Sequence, residues 1–250
     1  PKALTITPTG GQSKIYGSDD SALGFTYGSS GLVNGVTPQY WNSSGVYVNA
    51  TTINDTVNGF LGRNAGENVG SYAYTQGSIA ASTPSNYNTS VTAGSFAITA
   101  KALTITATGG QTKVYGNDDP ATGFTYGSSG LVSGVTPQYW NSSGVYVNAT
   151  TINDTVSGFL GRNAGENAGS YAYTIGSVAA NSPANYNTSL TAGTYSITPK
   201  ALTIDPTNGQ SKVYGDDDSI TGFTYSNTGL VNGVTPQYWN TSGAYVNATT

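Results

Sequence analysis

A tandem repeat constrains this chain more than any other sequence feature. The segment Lys2–Ile6 recurs as Lys101–Ile105 and again as Lys200–Ile204, so the period is 99 residues both times. The first two copies are identical at 80 of 99 aligned positions. A period of this length is too long for a solenoid, whose repeats bury their faces only against neighbours, and suits one small β-sandwich. We therefore predict a row of similar domains.

The repeat sets the predicted domain boundaries. We expect one domain over residues 2–100, a second over 101–199, and the N-terminal half of a third over 200–250. Pro1 stands where Pro199 stands before Lys200, so it reads as the end of a preceding copy, and we expect the natural protein to be longer. At the joint before the third copy a single proline, Pro199, separates the two copies, and because proline restricts the backbone we predict an elongated, stiff rod.

Composition excludes several classes of function. The chain has no His, Cys or Met, so Ser-His-Asp catalysis, thiolate or imidazole metal sites and disulfides are ruled out. The net charge of −4 argues against a nucleic-acid partner and against binding to anionic membranes. No apolar run is long enough to span a bilayer. We expect a protein that is not an enzyme and has no cofactor.

The pattern within one copy is typical of an all-β fold. Residues 102–106, 112–115, 123–126 and several later segments alternate between apolar and polar side chains, and Gly- and Asn-rich turns separate them. Seven or more such short strands favour an immunoglobulin-like β-sandwich. Tyr171 opens a long strand after a glycine turn, and we expect its hydroxyl to bond back to the preceding corner.

An ordered set of motifs resembles a known family. The second copy carries Lys-Ala-Leu-Thr-Ile-Thr, then Gln-Thr-Lys-Val-Tyr-Gly-Asn-Asp-Asp-Pro at 111–120, Ser-Gly-Leu-Val-Ser-Gly at 129–134 and Gly-Arg-Asn-Ala-Gly-Glu-Asn-Ala-Gly-Ser-Tyr at 161–171. This order resembles the MBG-type tandem repeats, with a Tyr-Gly-Asp-like motif, of large bacterial surface and secreted adhesin-like proteins. The resemblance implies an extracellular or cell-surface array that acts as a stalk, filament or adhesin shaft, without catalytic residues.

One segment departs from the usual pattern of these repeats. Residues Val36–Ile53, and their counterparts Val135–Ile152 and Val234 onward, look inserted and read as an extra β-hairpin with an Asn-Ser-Ser-Gly turn. All three Trp residues of the chain lie in this insert. The candidate interface or glycan-contact residues are Tyr40, Trp41, Tyr47, Tyr139, Trp140, Tyr146, Tyr238 and Trp239.

Three interpretations of the aromatic insert stay open from the sequence. The hairpin could fold over its own sandwich, with Trp covering the core, since Trp is usually mostly buried. It could instead pack between neighbouring chains, or form an aromatic platform for sugars. The first corresponds to a plain stalk, the second to a self-associating surface fibre, and the third to a carbohydrate-binding array.

Three further groups of residues are candidates for lesser roles. Arg63 and Glu67 flank a turn that an ion pair would brace. The Asp-rich turns are weak Ca²⁺ candidates, because such a site needs six to eight oxygens, and we favour polar turns for Asp118, Asp119, Asp216, Asp217 and Asp218. Sequons for glycosylation occur at Asn42, Asn49, Asn54, Asn88, Asn141, Asn148, Asn153, Asn187, Asn240 and Asn247.

The sequence favours a structural function over a binding function. We expect the partners to be neighbouring repeats and identical chains in a fibre, with surface glycans as the alternative. The low charge of each copy weakens mutual repulsion and favours such association.

Overall fold

The computed structural model describes residues 1–249, and its secondary structure is almost entirely β. Two single-turn 3₁₀ helices, Pro84–Asn86 and Pro183–Asn185, are the only helical segments in that range. The strands of the first copy are β1 (Lys2–Pro8), β2 (Ser13–Ile15), β3 (Tyr27–Ser30), β4 (Asn34–Val36), β5 (Gln39–Trp41), β6 (Tyr47–Asn49), β7 (Ile53–Asn54), β8 (Val57–Asn58), β9 (Gly62–Arg63), β10 (Gly70–Thr75), β11 (Ala80–Ala81), β12 (Tyr87–Val91) and β13 (Ser95–Thr99).

The second copy repeats these strands and the third contains four. Those of the second are β14 (Lys101–Ala107), β15 (Thr112–Val114), β16 (Tyr126–Ser129), β17 (Ser133–Val135), β18 (Gln138–Trp140), β19 (Tyr146–Asn148), β20 (Ile152–Asn153), β21 (Val156–Ser157), β22 (Gly161–Arg162), β23 (Gly169–Thr174), β24 (Ala179–Ala180), β25 (Tyr186–Thr191) and β26 (Thr194–Thr198). Those of the third are β27 (Thr203–Pro206), β28 (Tyr225–Thr228), β29 (Gln237–Trp239) and β30 (Tyr245–Asn247).

Two main sheets form the body of the first copy. One has the strand order β12-β1-β3 and the other β2-β13-β10-β9. Leu4 and Ile6 of β1 and Phe96 and Ile98 of β13 alternate with more exposed neighbours and are almost completely buried, as the period of two in a strand requires. The tandem all-β architecture is thus confirmed.

Two of the strand pairs in the first copy are parallel. β1 pairs with β12 and β2 pairs with β13 in parallel, while β1 pairs with β3 and β10 with β13 in antiparallel fashion. Alternation along a strand does not report the direction of its neighbour, so the sequence could not predict these pairs. The immunoglobulin-like detail of the predicted sandwich stays a prediction.

The second copy repeats the four-stranded sheet, in the order β15-β26-β23-β22. Its long strand begins with the predicted tyrosine contact, because the hydroxyl of Tyr171 donates to the carbonyl of Asn167 at 2.7 Å. Tyr72 makes the same bond to Asn68 in the first copy. The expected bond to the preceding corner is confirmed.

Each copy also contains the predicted inserted hairpin. β5 and β6 pair antiparallel, as do β18 with β19 and β29 with β30. The turn is closed by an asparagine side chain: Asn42 accepts hydrogen bonds from the N–H groups of Ser44 and Val46 at 3.0 Å each. Gly45 ends the turn with φ 71°, a conformation that favours glycine. The hairpin is therefore organised by its own residues.

The chain forms two compact units whose boundaries differ from those of the sequence repeat. The first comprises Pro1–Leu103, Gly130–Thr155 and Ala180–Asn187, and the second comprises Thr104–Ser129, Val156–Ala179 and Thr188 onward. Each unit thus contains the body of one copy and the inserted hairpin of the next, and the first unit also contains the hairpin of the first copy. In the described residues, no helix is long and apolar enough to cross a membrane.

Candidate functional site: the hairpin seat

The first unit brings the hairpin Gln138–Asn148 of the second copy onto the body of the first copy. We call the surface that receives it the hairpin seat, defined by Asp20, Ser21, Phe60, Arg63 and Ser78. The ring of Trp140 stacks on Phe60, with centroids 4.3 Å apart and planes 24° apart. Trp140 is only 6% exposed. Burial of a ring of this size dominates the energetics of a small contact.

Hydrogen bonds fix the position of that indole ring. Its N–H donates to the carbonyl of Ser21 at 2.9 Å, so the polar atom of the buried ring is satisfied. The hydroxyl of Tyr146 donates to the carbonyl of Asp20 at 2.9 Å. The N–H of Asp20 in turn donates to the carbonyl of Gln138 at 2.8 Å. Apolar stacking and directional bonds therefore act on the same hairpin.

A buried ion cluster lies beneath the seat. Arg63 has no exposed surface and binds Asp20 with two nitrogens, at 2.8 and 3.1 Å. Arg63 also binds Glu67 at 2.6 Å, and Lys14 binds Asp20 and Glu67 at 2.9 and 2.5 Å. Two positive and two negative side chains thus neutralise one another. Asp20 additionally accepts the backbone N–H of Trp140 at 3.2 Å, which links the cluster to the hairpin.

The charge of Arg63 is retained despite burial. Burial lowers the pKa of the guanidinium, but the hydrogen bonds and charge of Asp20, and those of Glu67, outweigh it and raise the pKa above its usual value. Aromatic faces surround the same group: its central carbon lies 5.2 Å from the ring of Tyr72, 5.5 Å from Phe96 and 4.9 Å from Tyr139. Tyr139 belongs to the seated hairpin, so docking adds one cation–π contact.

The tip of the hairpin approaches the backbone of the seat very closely. A Cβ atom on Gly144 would lie 2.5 Å from the carbonyl oxygen of Phe60 and would also collide with the N–H of Ser78. Gly45, at the same position of the first hairpin and with nearly the same φ, has open space around it. Glycine at position 144 is therefore required for docking as well as for the turn.

A second contact joins the two copies within the first unit. The hydroxyl of Tyr16 donates to Asp154 at 2.8 Å, beside the bond from Tyr186 to the same oxygen at 2.7 Å. The rings of Tyr16 and Tyr186 meet edge to face, with centroids 5.5 Å apart. Burial, and then the hydrogen bond to Asp154, raises the pKa of Tyr16 to about 12.

Burial raises the pKa of Asp154, but the hydrogen bonds from Ser182, Tyr186 and Tyr16 outweigh it and lower the pKa below its usual range. Asn185 completes this contact: its side-chain oxygen accepts the N–H of Val69 at 2.9 Å.

The second unit repeats the seat with the next hairpin. Trp239 stacks on Phe159 with centroids 4.3 Å apart and is 6% exposed, and its indole N–H donates to the carbonyl of Pro120 at 2.9 Å. Arg162 binds Asp119 there at 2.7 and 3.0 Å. A hairpin that differs from the second only at Thr241 and Ala244 thus meets an equivalent seat in the second unit.

Within residues 1–249, no seat lies beneath the first hairpin. Trp41 is 70% exposed, and Tyr40 and Tyr47 are each 52% exposed. Trp41 contacts Tyr47 within its own hairpin, with centroids 5.1 Å apart. The interpretation that the hairpin covers its own sandwich is wrong for this chain. The seat on each body is filled by the hairpin of the following copy, as Trp140 and Trp239 show.

Acidic residues of the predicted turns and two of the sequon asparagines take part in ion pairs or hydrogen bonds. Asp119 binds Arg162 and Lys113, and Asp118 accepts the N–H of Gln237 at 2.7 Å. Among residues 1–249, no group of three or more acidic side chains is arranged to hold a metal ion. The sequon residues Asn54 and Asn153 accept N–H groups of Gly35 and Gly134 at the base of their hairpins. Glycosylation stays a prediction.

The sequence reasoning missed the importance of Asp20 and of the buried cluster. Arg63 and Glu67 were expected to brace a turn, and they do form an ion pair, but the pair extends to Lys14 and Asp20. A usable signal was present: Lys14, Asp20, Arg63 and Glu67 are four of the few charged residues of the copy, and all four recur in the second. Charged side chains are seldom buried unless they are paired with an opposite charge.

Comparison with known proteins agrees with the repeat. The family described as MBG domain (YGX type) matches twice in tandem, over residues 4–97 and 103–198. No curated protein matches the chain. No solved structure matches it either. Because the family match covers most of the chain in two consecutive copies, the protein belongs to the MBG domain family of the YGX type.

Proposed function

We propose that this chain is a structural segment in which every copy is clamped to the copy before it by an inserted hairpin. The observation that carries the proposal is the burial of Trp140 and Trp239 against Phe60 and Phe159. A tandem array needs coupling between its domains if it is to resist bending at the joints. A hairpin that reaches across the repeat boundary supplies that coupling, because it adds a packed contact to the covalent joint at Ala100 or Pro199.

We further propose that the array is the stalk of an extracellular adhesin or a surface fibre, without enzymatic activity or a cofactor. The absence of cysteine suits an oxidising exterior, where a free thiol is a liability. The buried charged side chains Arg63 and Asp20 bind each other, which is a structural use of their charges. Antibodies against this segment should label intact cells of the source, and labelling only after lysis would contradict the surface location.

Small-angle scattering tests the clamp. Trp140→Ala removes the ring from the seat, and we expect a larger radius of gyration and a broader distance distribution. Trp41→Ala removes the same side chain from the exposed hairpin and should leave the scattering curve unchanged. Identical curves for wild type and Trp140→Ala would contradict the clamp.

Glycan binding is a second candidate, and one observation favours it. The adjacent rings of Trp41 and Tyr47 are exposed and could stack on a sugar. The equivalent rings Trp140 and Trp239 are covered, which limits such a site to a hairpin without a seat. Binding to immobilised glycans that disappears in Trp41→Ala would support this candidate, and no binding by the wild-type chain would exclude it.

A further inference from the structure

The first hairpin and the first-copy face beside it have no partner in the part of the chain that the structure describes. Residues Val36–Val57 are identical in sequence to Val135–Val156. The second hairpin is seated, with Trp140 6% exposed, whereas Trp41 is 70% exposed. Sequence cannot cause this difference. It follows from the presence of a seat next to one hairpin and not the other.

A second feature of the same face is also incomplete. Asp55 accepts one tyrosine hydroxyl, from Tyr87 at 2.8 Å, whereas Asp154 accepts two. Asp55 and Tyr87 line an open pocket of ≈ 360 Å³ in the first unit. In the second copy, the side chain of Tyr16 from the preceding body contacts the corresponding residues.

We infer that the first hairpin, together with the pocket at Asp55, is a docking surface for the hairpin seat of another copy of this repeat. This surface would place Trp41 on a ring equivalent to Phe60, and a tyrosine equivalent to Tyr16 against Asp55. The inference goes beyond the clamp within one chain, because the seat can belong to a second chain. The hairpin of one chain and the seat of another make a head-to-tail contact, which extends into open-ended oligomers.

The seats within this chain are already filled. The hairpins that fill them are tethered, and a tethered partner acts at an effective concentration of about the millimolar range, which excludes a competing chain. The third copy, residues 200–250, has no counterpart of Phe60 or Arg63 in its sequence and offers no complete seat. A polypeptide of only these 250 residues therefore has a free hairpin without a complete free seat, and we expect that polypeptide to be monomeric.

Adding a free seat tests the inference. The third copy can be completed by appending a duplicate of residues 152–199, which follow the equivalent segment in the second copy. The extended chain then has one exposed hairpin and one empty seat. We expect its mass in sedimentation velocity to rise with concentration beyond that of a dimer. Tyr40→Ala/Trp41→Ala in the extended chain should restore the monomer, since both side chains are exposed and their loss leaves the fold intact.

A second arrangement supplies the seat within the chain. A duplicate of residues 101–198 placed ahead of Pro1, with its own Trp replaced by Phe, puts a complete body next to the first hairpin and keeps the 99-residue period. We expect Trp41 to become shielded from acrylamide. One of the three Trp residues is accessible in the 250-residue chain, and none should be accessible in this longer one. If Trp41 stays accessible there, the inference is overturned. It is also overturned if the C-terminally extended chain stays monomeric, or if it associates equally well without Tyr40 and Trp41.

These results are separable from the test of the proposed function. The proposal of a clamp is contradicted if Trp140→Ala leaves the scattering unchanged. That measurement uses the 250-residue chain without any added copy. The docking of one chain on another fails if the C-terminally extended chain stays monomeric or associates equally well without Tyr40 and Trp41, whatever the scattering of the Trp140→Ala variant shows. Shielding of Trp41 by a preceding copy tests the clamp and the docking surface together.

Discussion

Trp140 lies on Phe60 across a repeat boundary, with ring centroids 4.3 Å apart and an angle of 24° between the planes. The two residues are 80 positions apart in sequence, and the hairpin that carries Trp140 belongs to the copy that follows Phe60. The contact makes the folded unit different from the sequence repeat. The hairpin of the second copy lies in the same compact unit as the body of the first copy and packs on it.

The glycine at the tip of the seated hairpin gives the first prediction. Gly144→Ala and Gly45→Ala introduce the same methyl group at φ 70° and 71°, so both share the backbone cost of about 1–2 kcal/mol. Only the methyl group at position 144 collides with Phe60 and Ser78, and overpacking adds about 1–3 kcal/mol. Denaturant unfolding should show a larger loss for Gly144→Ala. Equal losses for the two variants would mean that the hairpin tip is not packed against the body.

The buried cluster gives a prediction with a natural control. Lys14 and Asp20 are 2.9 Å apart with side chains 4% and 0% exposed, while Lys212 and Asp218 are 2.8 Å apart with side chains 52% and 62% exposed. Lys14→Met leaves two carboxylates facing Arg63 alone, which should cost about 3–5 kcal/mol of unfolding free energy. Lys212→Met should cost less than about 1 kcal/mol. Similar small losses in both variants, measured by chemical denaturation, would show that the first cluster is solvated.

One of the few differences between the copies provides a third prediction. Tyr195 occupies the position of Phe96, and its buried hydroxyl has no hydrogen-bond partner in the described residues. Burial raises the pKa of this hydroxyl, as expected for a group that cannot be solvated.

An unsatisfied buried polar atom costs about 1–3 kcal/mol, so Tyr195→Phe should stabilise the chain and Phe96→Tyr should destabilise it. Thermal unfolding followed by circular dichroism measures both changes. A loss of stability in Tyr195→Phe would indicate a partner for the hydroxyl, such as an ordered water.

The contact between Tyr16 and Asp154 predicts a dependence on pH. The folded pKa of Asp154 is lowered, so its contribution is present above the unfolded value of about 3.9 and is lost as the pH falls through the folded value. The folded pKa of Tyr16 is raised to about 12, so its contribution is present below about pH 10 and is lost as the pH rises through 12.

Tyr16→Phe should reduce the unfolding free energy by about 1.5–3 kcal/mol at neutral pH, the usual value of a hydrogen bond to a charged group. Tyr115→Phe changes the equivalent side chain where it is 39% exposed and should have little effect. Urea titrations at several pH values check both variants. A pH profile of Tyr16→Phe that is parallel to that of wild type at both extremes would contradict the assignment.

Much of the body could be predicted from sequence, because its signals are local. The alternation of Leu4 and Ile6, the asparagine turn at Asn42 and the tyrosine at the start of β23 each depend on neighbours a few residues away. The repeat itself gave the number of copies in the chain. These features can be predicted without knowing which distant surfaces of the chain contact each other.

The hairpin seat could not be predicted, because its partners are far apart in sequence and the hairpins are identical. Val36–Val57 and Val135–Val156 have the same residues, and yet Trp41 is exposed and Trp140 is buried. No pattern within a copy can distinguish a hairpin that contacts its own body from one that contacts the preceding body. The parallel pairs β1–β12 and β2–β13 were missed for a related reason, since alternation does not specify the direction of a neighbouring strand.

The accessibility of each Trp tests the central claim most directly. Three variants that each keep one Trp and replace the other two by Phe report separately on Trp41, Trp140 and Trp239. We predict a red-shifted emission and strong acrylamide quenching for Trp41, and a blue-shifted emission with weak quenching for Trp140 and Trp239, as their exposures of 70%, 6% and 6% require. Equal quenching of all three residues would contradict the claim that each hairpin is seated on the copy before it.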